Sequence, residues 1–392
     1  MHRAYLTTFT AAAIASLANV GPANADVQYE FTLVDAFTPN YGLRETYLYD
    51  INDQNIATRT TTIQIQTPGG STITYTGFYW TPSNEKMPVE ISWPRGINNN
   101  GLLAGVSGVF DIPSNQFTTV PALPSLYFPL VLRDVNDGGI AVGYEQTCNC
   151  SNSQGALQVP YVWDAVNGAR TLNVPGAKGA AQINSNGLIV GWTGSWSMPD
   201  SYLYDLNTET FIYMSSVFEG PNVKTTADDV NDNNVVVGSR LNFNGSISWG
   251  YTWSAQDGVT LLPLPPPEFQ PYLKPTSIND AGVIVGSIFT PLATQLAFVY
   301  DAQHGVRELS TLTNEPAGFT LMTATSINDN GWIVGYGYGG GGMYKSFVLK
   351  PIVAVLGDAT GDGFVNVSDL LAVISTWGAC PAPPANCPTD FN

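Results

Sequence analysis

Near the end of the chain, a few side chains have the types and the spacing to hold a metal ion. In GDATGDGFVNVSDLLAVISTWG, residues 357–378, counting Asp358 as the first position puts Thr360 third, Asp362 fifth, Gly363 sixth, Phe364 seventh, Asn366 ninth and Asp369 twelfth. Oxygen donors fall on alternate residues, a glycine stands where the chain must turn sharply, a backbone carbonyl falls at the seventh position and an acid at the twelfth. Calcium selects this pattern because it is a hard cation that gathers six to eight oxygens. After the loop, Leu370, Val373, Ile374 and Trp377 give one apolar helical face, which Gly378 ends.

Elsewhere the chemistry is sparse. A Ser/His/Asp or Cys/His arrangement would have to use His304, which sits in the polar turn DAQHGVREL, where a solvated imidazole is the simpler reading. Cys380 and Cys387 close a proline-rich loop and are candidates for a local disulfide, if the chain is exported. Cys148 and Cys150 are either a loop staple or two free thiols, and the shortage of histidine argues against zinc at either pair.

The elements that must position these residues begin after a leader. Met1, His2 and Arg3 make a short positive start, the stretch from Ala4 to Val20 is uncharged and apolar, and Ala23-Asn24-Ala25 has the small-x-small form of an export cleavage site. Residues 1–25 therefore read as a signal peptide, and the mature chain as secreted and extracellular. No later segment reaches the roughly 20 apolar residues of a membrane span. Without Arg3 the chain carries 13 basic against 31 acidic side chains, a net charge near −18. A surface this acidic excludes nucleic acid as a partner and suits divalent cations and neutral polymers such as glycans.

Between residues 50 and 340 one phrase recurs. DINDQNIATRT, GINNNGLLAGV, DVNDGGIAVGY, QINSNGLIVGW, DVNDNNVVVGS, SINDAGVIVGS and SINDNGWIVGY share the asparagines Asn52, Asn98, Asn136, Asn184, Asn231, Asn279 and Asn328, spaced by 46, 38, 48, 47, 48 and 49 residues. Periods in this range signal propeller blades. Three positions after each asparagine stands Asn or Gly, the residues that best accept positive φ, so the phrase is a tight hairpin. Further on, pairs such as Phe78 with Trp80, Tyr161 with Trp163 and Phe298 with Tyr300 lie two apart, on one face of a third strand. A fourth strand follows a short turn.

The last copy lacks a fourth strand, and YEFTLVDAF at 29–37 is a strand without a sheet. Joining them predicts an all-β, seven-bladed β-propeller of four-stranded blades over residues 26–352, closed by the N-terminal strand, plus a small C-terminal calcium loop-helix module over 353–392. An open β-solenoid is the alternative. The shared asparagines are expected to cap turns, with a glycan-binding ring of amides as the sharper alternative, and the aromatic pairs to fill the core between blades. Asp50, Asp134 and Asp229 occupy equivalent places beside the inner strand, so three acids could converge on the channel, although no local motif supports catalysis there.

The repeats resemble the extracellular HAF repeat family, with SINDAGVIVGSIF and LAFVYD as the nearest copy. That likeness implies the fold and says little about function. The C-terminal loop, an EF-hand-type loop with only the exiting helix, resembles a type I dockerin repeat. This implies calcium ligation by Asp358, Thr360, Asp362, Phe364 through its carbonyl, Asn366 and Asp369, and a cohesin-like module as partner. Thr360 departs from the usual Asn or Asp, and a second repeat stops at CPTDFN. The sequence thus points to a secreted propeller that binds or displays, with a glycan or cell-envelope polymer as its ligand. The alternative is an extracellular polysaccharide-degrading enzyme, a glycosyl hydrolase or lyase, delivered by the dockerin-like module. A three-acid cluster at the channel would favour the enzyme; a channel of small and amide residues would favour binding.

Overall fold

The computed structural model describes residues 27–34, 44–67, 70–83, 86–123, 130–147, 157–195, 198–220, 223–242, 248–339, 343–352, 367–368 and 370–371. The signal peptide, all four cysteines and the six calcium-loop ligands lie outside them. Two compact units divide the chain: Tyr29–Lys350, and the two terminal stretches Met1–Gln28 with Pro351–Asn392.

The unit Tyr29–Lys350 is an all-β propeller. Each repeat begins with an inner strand that ends at the shared asparagine, turns, and runs outward through antiparallel neighbours. One sheet is ordered Leu273–Ile278, Ile284–Phe289, Gln295–Asp301, Gly305–Glu308. The last sheet is ordered Thr320–Ile327, Ile333–Gly339, Met343–Ile352, Gln28–Val34, so the first strand of the chain fills the outer place.

The expectation of seven four-stranded blades is corrected. Among the described residues there are five four-stranded sheets and one eight-stranded sheet. The eight-stranded sheet contains the repeats of Asn98 and Asn136, joined where Val131 pairs with Val106. The cause lies in the short spacing of 38 residues between these asparagines. Strand Leu102–Val106 turns at once into Gly108–Asp111, with Ser107 at φ 66°, and at the end of this tight hairpin Ser107 donates its N–H to Leu130 O at 2.9 Å. The next inner strand is drawn against it.

The C-terminal loop-helix module is also corrected. The described residues contain no α-helix as an element, only the short 3-10 turns Met214–Val217 and Leu309–Leu312 and helical backbone at four C-terminal residues. Of these, Leu370 and Leu371 are 58% and 60% exposed.

Packing follows from strand alternation. Phe347, Leu349 and Ile333 of the last sheet meet Val285 and Val299 of the preceding one, all essentially buried. Val334 and Val348 of that last sheet also meet Leu48, Ile51 and Trp80 of the first, which closes the circle. Within five of the repeats, a glycine inside the second strand lies opposite an aromatic of the third: Gly143 with Tyr161, Gly191 with Tyr202, Gly238 with Tyr251, Gly286 with Phe298, Gly335 with Phe347. A Cβ on Gly238 would stand 2.0 Å from Thr226 O, so the inner strand approaches too closely for any side chain there. The aromatic ring covers the gap, and the Tyr251 hydroxyl donates to that same carbonyl at 2.8 Å. In the first repeat Arg59 stands where the glycine would be, fully buried, with its guanidinium 5.5 Å from the Phe78 ring centroid.

Candidate functional site: the central channel

The seven asparagines are buried and form a closed circuit. Each side-chain Oδ1 accepts the N–H four residues on, as Asn231 does from Val235 at 2.9 Å, which holds its own hairpin shut. Each Nδ2 donates to the backbone carbonyl of the next asparagine: Asn52 to Asn98, then Asn136, Asn184, Asn231, Asn279, Asn328 and back to Asn52, at 2.8 to 3.1 Å. Both ends of every amide are used, so the circuit belongs to the fold and is not free to take a ligand.

One residue further along, Asp53, Asp137, Asp232, Asp280 and Asp329 ring one mouth of the channel. Most of these carboxylates accept the N–H of the preceding repeat, as Asp329 does from Asp280 at 2.7 Å. Among the described residues no group of three or more His, Cys, Asp or Glu side chains is placed to hold a metal ion.

Two residues before the asparagines lies the layer of Asp50, Asp134 and Asp229. All seven inner strands carry a register shift immediately before this point, for example between Leu132 and Asp134. A bulge leaves a backbone group without its ladder partner. Here the N–H that follows is taken by a carboxylate. Asp50 accepts Ile51 N and Ile97 N, both at 2.9 Å; Asp134 accepts Val135 N and Ile183 N, both at 2.8 Å; Asp229 accepts Val230 N at 2.8 Å and Ile278 N at 3.0 Å. Each acid therefore uses both oxygens to tie its own inner strand to the next. Gly96 is small for the same reason: a Cβ there would lie 2.5 Å from Asp134 Cα and 2.8 Å from its Oδ1. In the remaining repeats Ser326 Oγ donates to Asp50 Oδ1 at 2.8 Å, and Ile327 N donates to Ser277 Oγ at 3.4 Å.

Burial pushes the Asp50 and Asp229 carboxyls up to about 6, against hydrogen bonds that act downward. Asp134 stands well above the ordinary carboxylate range, through burial first and the charge of Asp50 second. The three acids do converge on the channel, and the backbone N–H groups they accept account for their presence.

A third layer, one residue deeper, contains Tyr49, Arg95, Arg133 and Asp228, with Lys274 beyond it. Strands rise about 3.3 Å per residue, so this layer sits roughly 10 Å from the asparagines, toward the opposite mouth. The Arg95 guanidinium lies 4.2 Å from the Tyr49 ring centroid and 4.5 Å from that of Trp93. Trp93 stacks on Tyr75 at 5.1 Å and donates Nε1–H to the Tyr49 hydroxyl at 3.0 Å, from a backbone with φ 56°. Arg133 lies 5.4 Å from the Trp192 ring, and its Nε is buried with no hydrogen-bond partner. Together these layers enclose a channel cavity of about 390 Å³. Sequence reasoning missed Arg95 and Arg133, because neither belongs to the repeated phrase and only the fold brings them side by side.

His304 is where the turn DAQHGVREL places it. Its Nδ1 lies 2.9 Å from Asp301 Oδ1, and Arg307 pairs with the other oxygen of the same carboxylate.

No protein-family model matches this sequence, and no curated protein matches it. Solved structures match in fold. The chain is similar to the uncomplexed acylaminoacyl peptidase of Pyrococcus horikoshii, at 11% identity and a TM-score of 0.52, over 78% of this chain and 51% of that one. The orthorhombic form of that peptidase gives 11% and 0.53, over 80% and 53%. The chain thus spans about half the length of the peptidase. An oligogalacturonate lyase in complex with manganese matches at 9% identity and a TM-score of 0.54, over 83% of this chain and 97% of that one. At these identities the likeness shows a β-propeller fold and nothing further.

Proposed function

We propose that this protein is a secreted β-propeller that binds or displays, taking an extracellular glycan or cell-envelope polymer at its central channel. The observation that carries this reading is the division of labour inside the channel. The three acids that would serve catalysis each accept two backbone N–H groups and act as ties between strands, while Tyr49, Arg95 and Arg133 face the cavity with no such duty. A cavity of about 390 Å³ lies within the span of small-ligand sites, roughly 300–1,000 Å³, and suits one end of a chain of sugars. The HAF-like repeats belong to the same proposal, with the repeated residues building the scaffold.

The dockerin-like segment 353–392 completes it as a calcium-binding attachment or stabilising module, using Asp358, Thr360, Asp362, Phe364, Asn366 and Asp369. Thr360, a weaker ligand than the usual Asn or Asp, suits an affinity at the weak, extracellular end, with dissociation constants of about 10⁻⁴–10⁻³ M. Calorimetric titration of the mature chain with calcium tests it: saturable binding in the millimolar range is expected, and an equal response after Asp358→Ala with Asp362→Ala would refute it.

The alternative, a polysaccharide-degrading enzyme, is favoured by one observation, the carboxyls raised to about 6 in an accessible channel, where general acid–base catalysts operate. A screen of the mature chain, residues 26–392, against glycans and envelope polymers separates the two. Saturable binding without new reducing ends or unsaturated products is expected; turnover that disappears in Asp134→Asn would overturn the binding reading.

A further inference from the structure

Among the described residues, two arginines of the channel have no hydrogen-bond acceptor. Arg95 and Arg133 come from adjacent inner strands at equivalent positions, three residues before Asn98 and Asn136. Arg133 is driven below its usual range by burial first and by the positive charge of Arg95 second, which places the two guanidinium groups within each other's field. Like charges this close destabilise the fold unless something negative sits between them. Of the nearby carboxylates, Asp50 and Asp134 accept backbone N–H groups, and Asp228 accepts from the hydroxyl of Thr226 at 2.6 Å while sharing the field of Lys274 and Arg133. Among the described residues no carboxylate forms an ion pair with either arginine.

The way Arg95 is held sharpens this. Its guanidinium packs against the rings of Tyr49 and Trp93, and Trp93 is fixed in turn by Tyr75 and by its bond to Tyr49. A guanidinium packed against aromatic rings keeps its fork of N–H donors available to an acceptor. A rigid donor fork of this kind matches a flat, two-oxygen acceptor. The positive φ of Trp93 is local strain that holds the indole in this place.

We propose that Arg95 and Arg133 form an oxyanion subsite at the channel end opposite the asparagine hairpins, which receives the carboxylate of an acidic sugar unit. This rests on the glycan-binding reading above and narrows its ligand class. The surrounding Tyr49, Thr276 and Ser326 are polar or aromatic and suit a sugar ring in a cavity of this size. The five aspartates at the hairpin mouth repel an anion, so the ligand reaches the arginines from the other face.

The test is calorimetry on the mature chain with galacturonate oligomers of two to four units, their fully methyl-esterified counterparts, an oligoglutamate peptide and inorganic phosphate. The acid oligomers are expected to bind at least tenfold tighter than the esters, as a charge-assisted bidentate contact requires. Arg95→Gln and Arg133→Gln should each lose about tenfold or more toward the acid and nothing toward the ester, and Arg133→Lys should fall between. Equal affinity for acid and ester would overturn the subsite and leave glycan binding standing. Binding of neither, with peptide or phosphate held through the same arginines, would overturn the sugar as ligand and the glycan reading with it. Should the glutamine variants misfold, a salt dependence that is the same for acid and ester in the wild type would refute the subsite by itself.

Discussion

Asn231 shows how much one side chain does here. Its amide accepts from Val235 N and donates to Asn279 O, both inside the protein. Replacing it by alanine leaves a carbonyl and an N–H without partners and should cost about 1–3 kcal/mol. Aspartate keeps the acceptor but sets an oxygen against the Asn279 carbonyl, so Asn231→Asp should be worse than alanine at pH 7 and recover toward pH 4, as the carboxyl gains a proton it can donate. Chemical denaturation of both variants at the two pH values checks the order. The channel acids give a second pH effect. Asp50 and Asp229 titrate near 6 in the fold against about 3.8 unfolded, so the native state holds the extra protons. Their contribution to stability is full below about pH 4 and is lost as pH rises to about 6. Asp164 acts in a separate window: burial raises it, but hydrogen bonds from Asn167 and Arg170 prevail and hold it at about 2, so its contribution is lost only below pH 4. The slope of unfolding free energy between pH 4 and 6 should flatten in Asp229→Asn, even though that variant loses a backbone bond and starts lower; an unchanged slope would remove these groups from the account. At this scale the asparagines were legible because a turn demands them seven times over. The arginines were not, since nothing in a sequence says that two unrepeated cations share a cavity.

At the scale of elements, strand Gln28–Val34 is the informative one. Tyr29 and Val34 are buried, and Phe31 lies 5.5 Å from Phe319 and 6.4 Å from Phe347. Burying each such side chain is worth about 1.5–3 kcal/mol, so removing residues 26–37 should cost several kcal/mol and expose the edge of Met343–Ile352 to intermolecular pairing. A lower unfolding midpoint with concentration-dependent aggregation is expected; a truncated chain that melts like the parent would refute the closure. The hairpin turns are tested at Gly282, whose φ is +77° with no atom within 4 Å of an added Cβ. Valine there meets no clash but an unsuitable backbone, and Gly282→Val should cost about 1–3 kcal/mol while Gln303→Val costs little. The strand pattern could be read from glycine and aromatic spacing because close approach of the inner strand leaves no other choice, as Gly238 beneath Tyr251 shows. The joining of two repeats into one eight-stranded sheet could not. The 38-residue spacing was visible, but a single pairing of Val131 with Val106 depends on how a shortened hairpin lies against its neighbour, and no residue type announces it.

The molecule as a whole has no free end within its ring, because hydrogen bonds from Leu48 N to Ser346 Oγ and from Thr325 Oγ1 to Leu48 O join its first and last sheets. Open repeat arrays unfold from their ends; a closed one has none to start from. Calorimetry of the unit Tyr29–Lys350 should therefore show one transition with equal van't Hoff and measured enthalpies, and Asn231→Ala should shift it without splitting it. The aspartate ties carry a further consequence, which is arithmetical. A carboxylate has two oxygens and serves two strands, so three of them satisfy the inward N–H groups of Ile51, Ile97, Val135, Ile183, Val230 and Ile278. The circle is odd, and one N–H is left over. Ile327 is that remainder, and it settles for the Ser277 hydroxyl at 3.4 Å, beside the junction where Ser326 reaches Asp50. Pairing by twos cannot close on an odd number, so the channel wall has a single seam, and a ligand inside meets a circle with a marked position from which its orientation can be set.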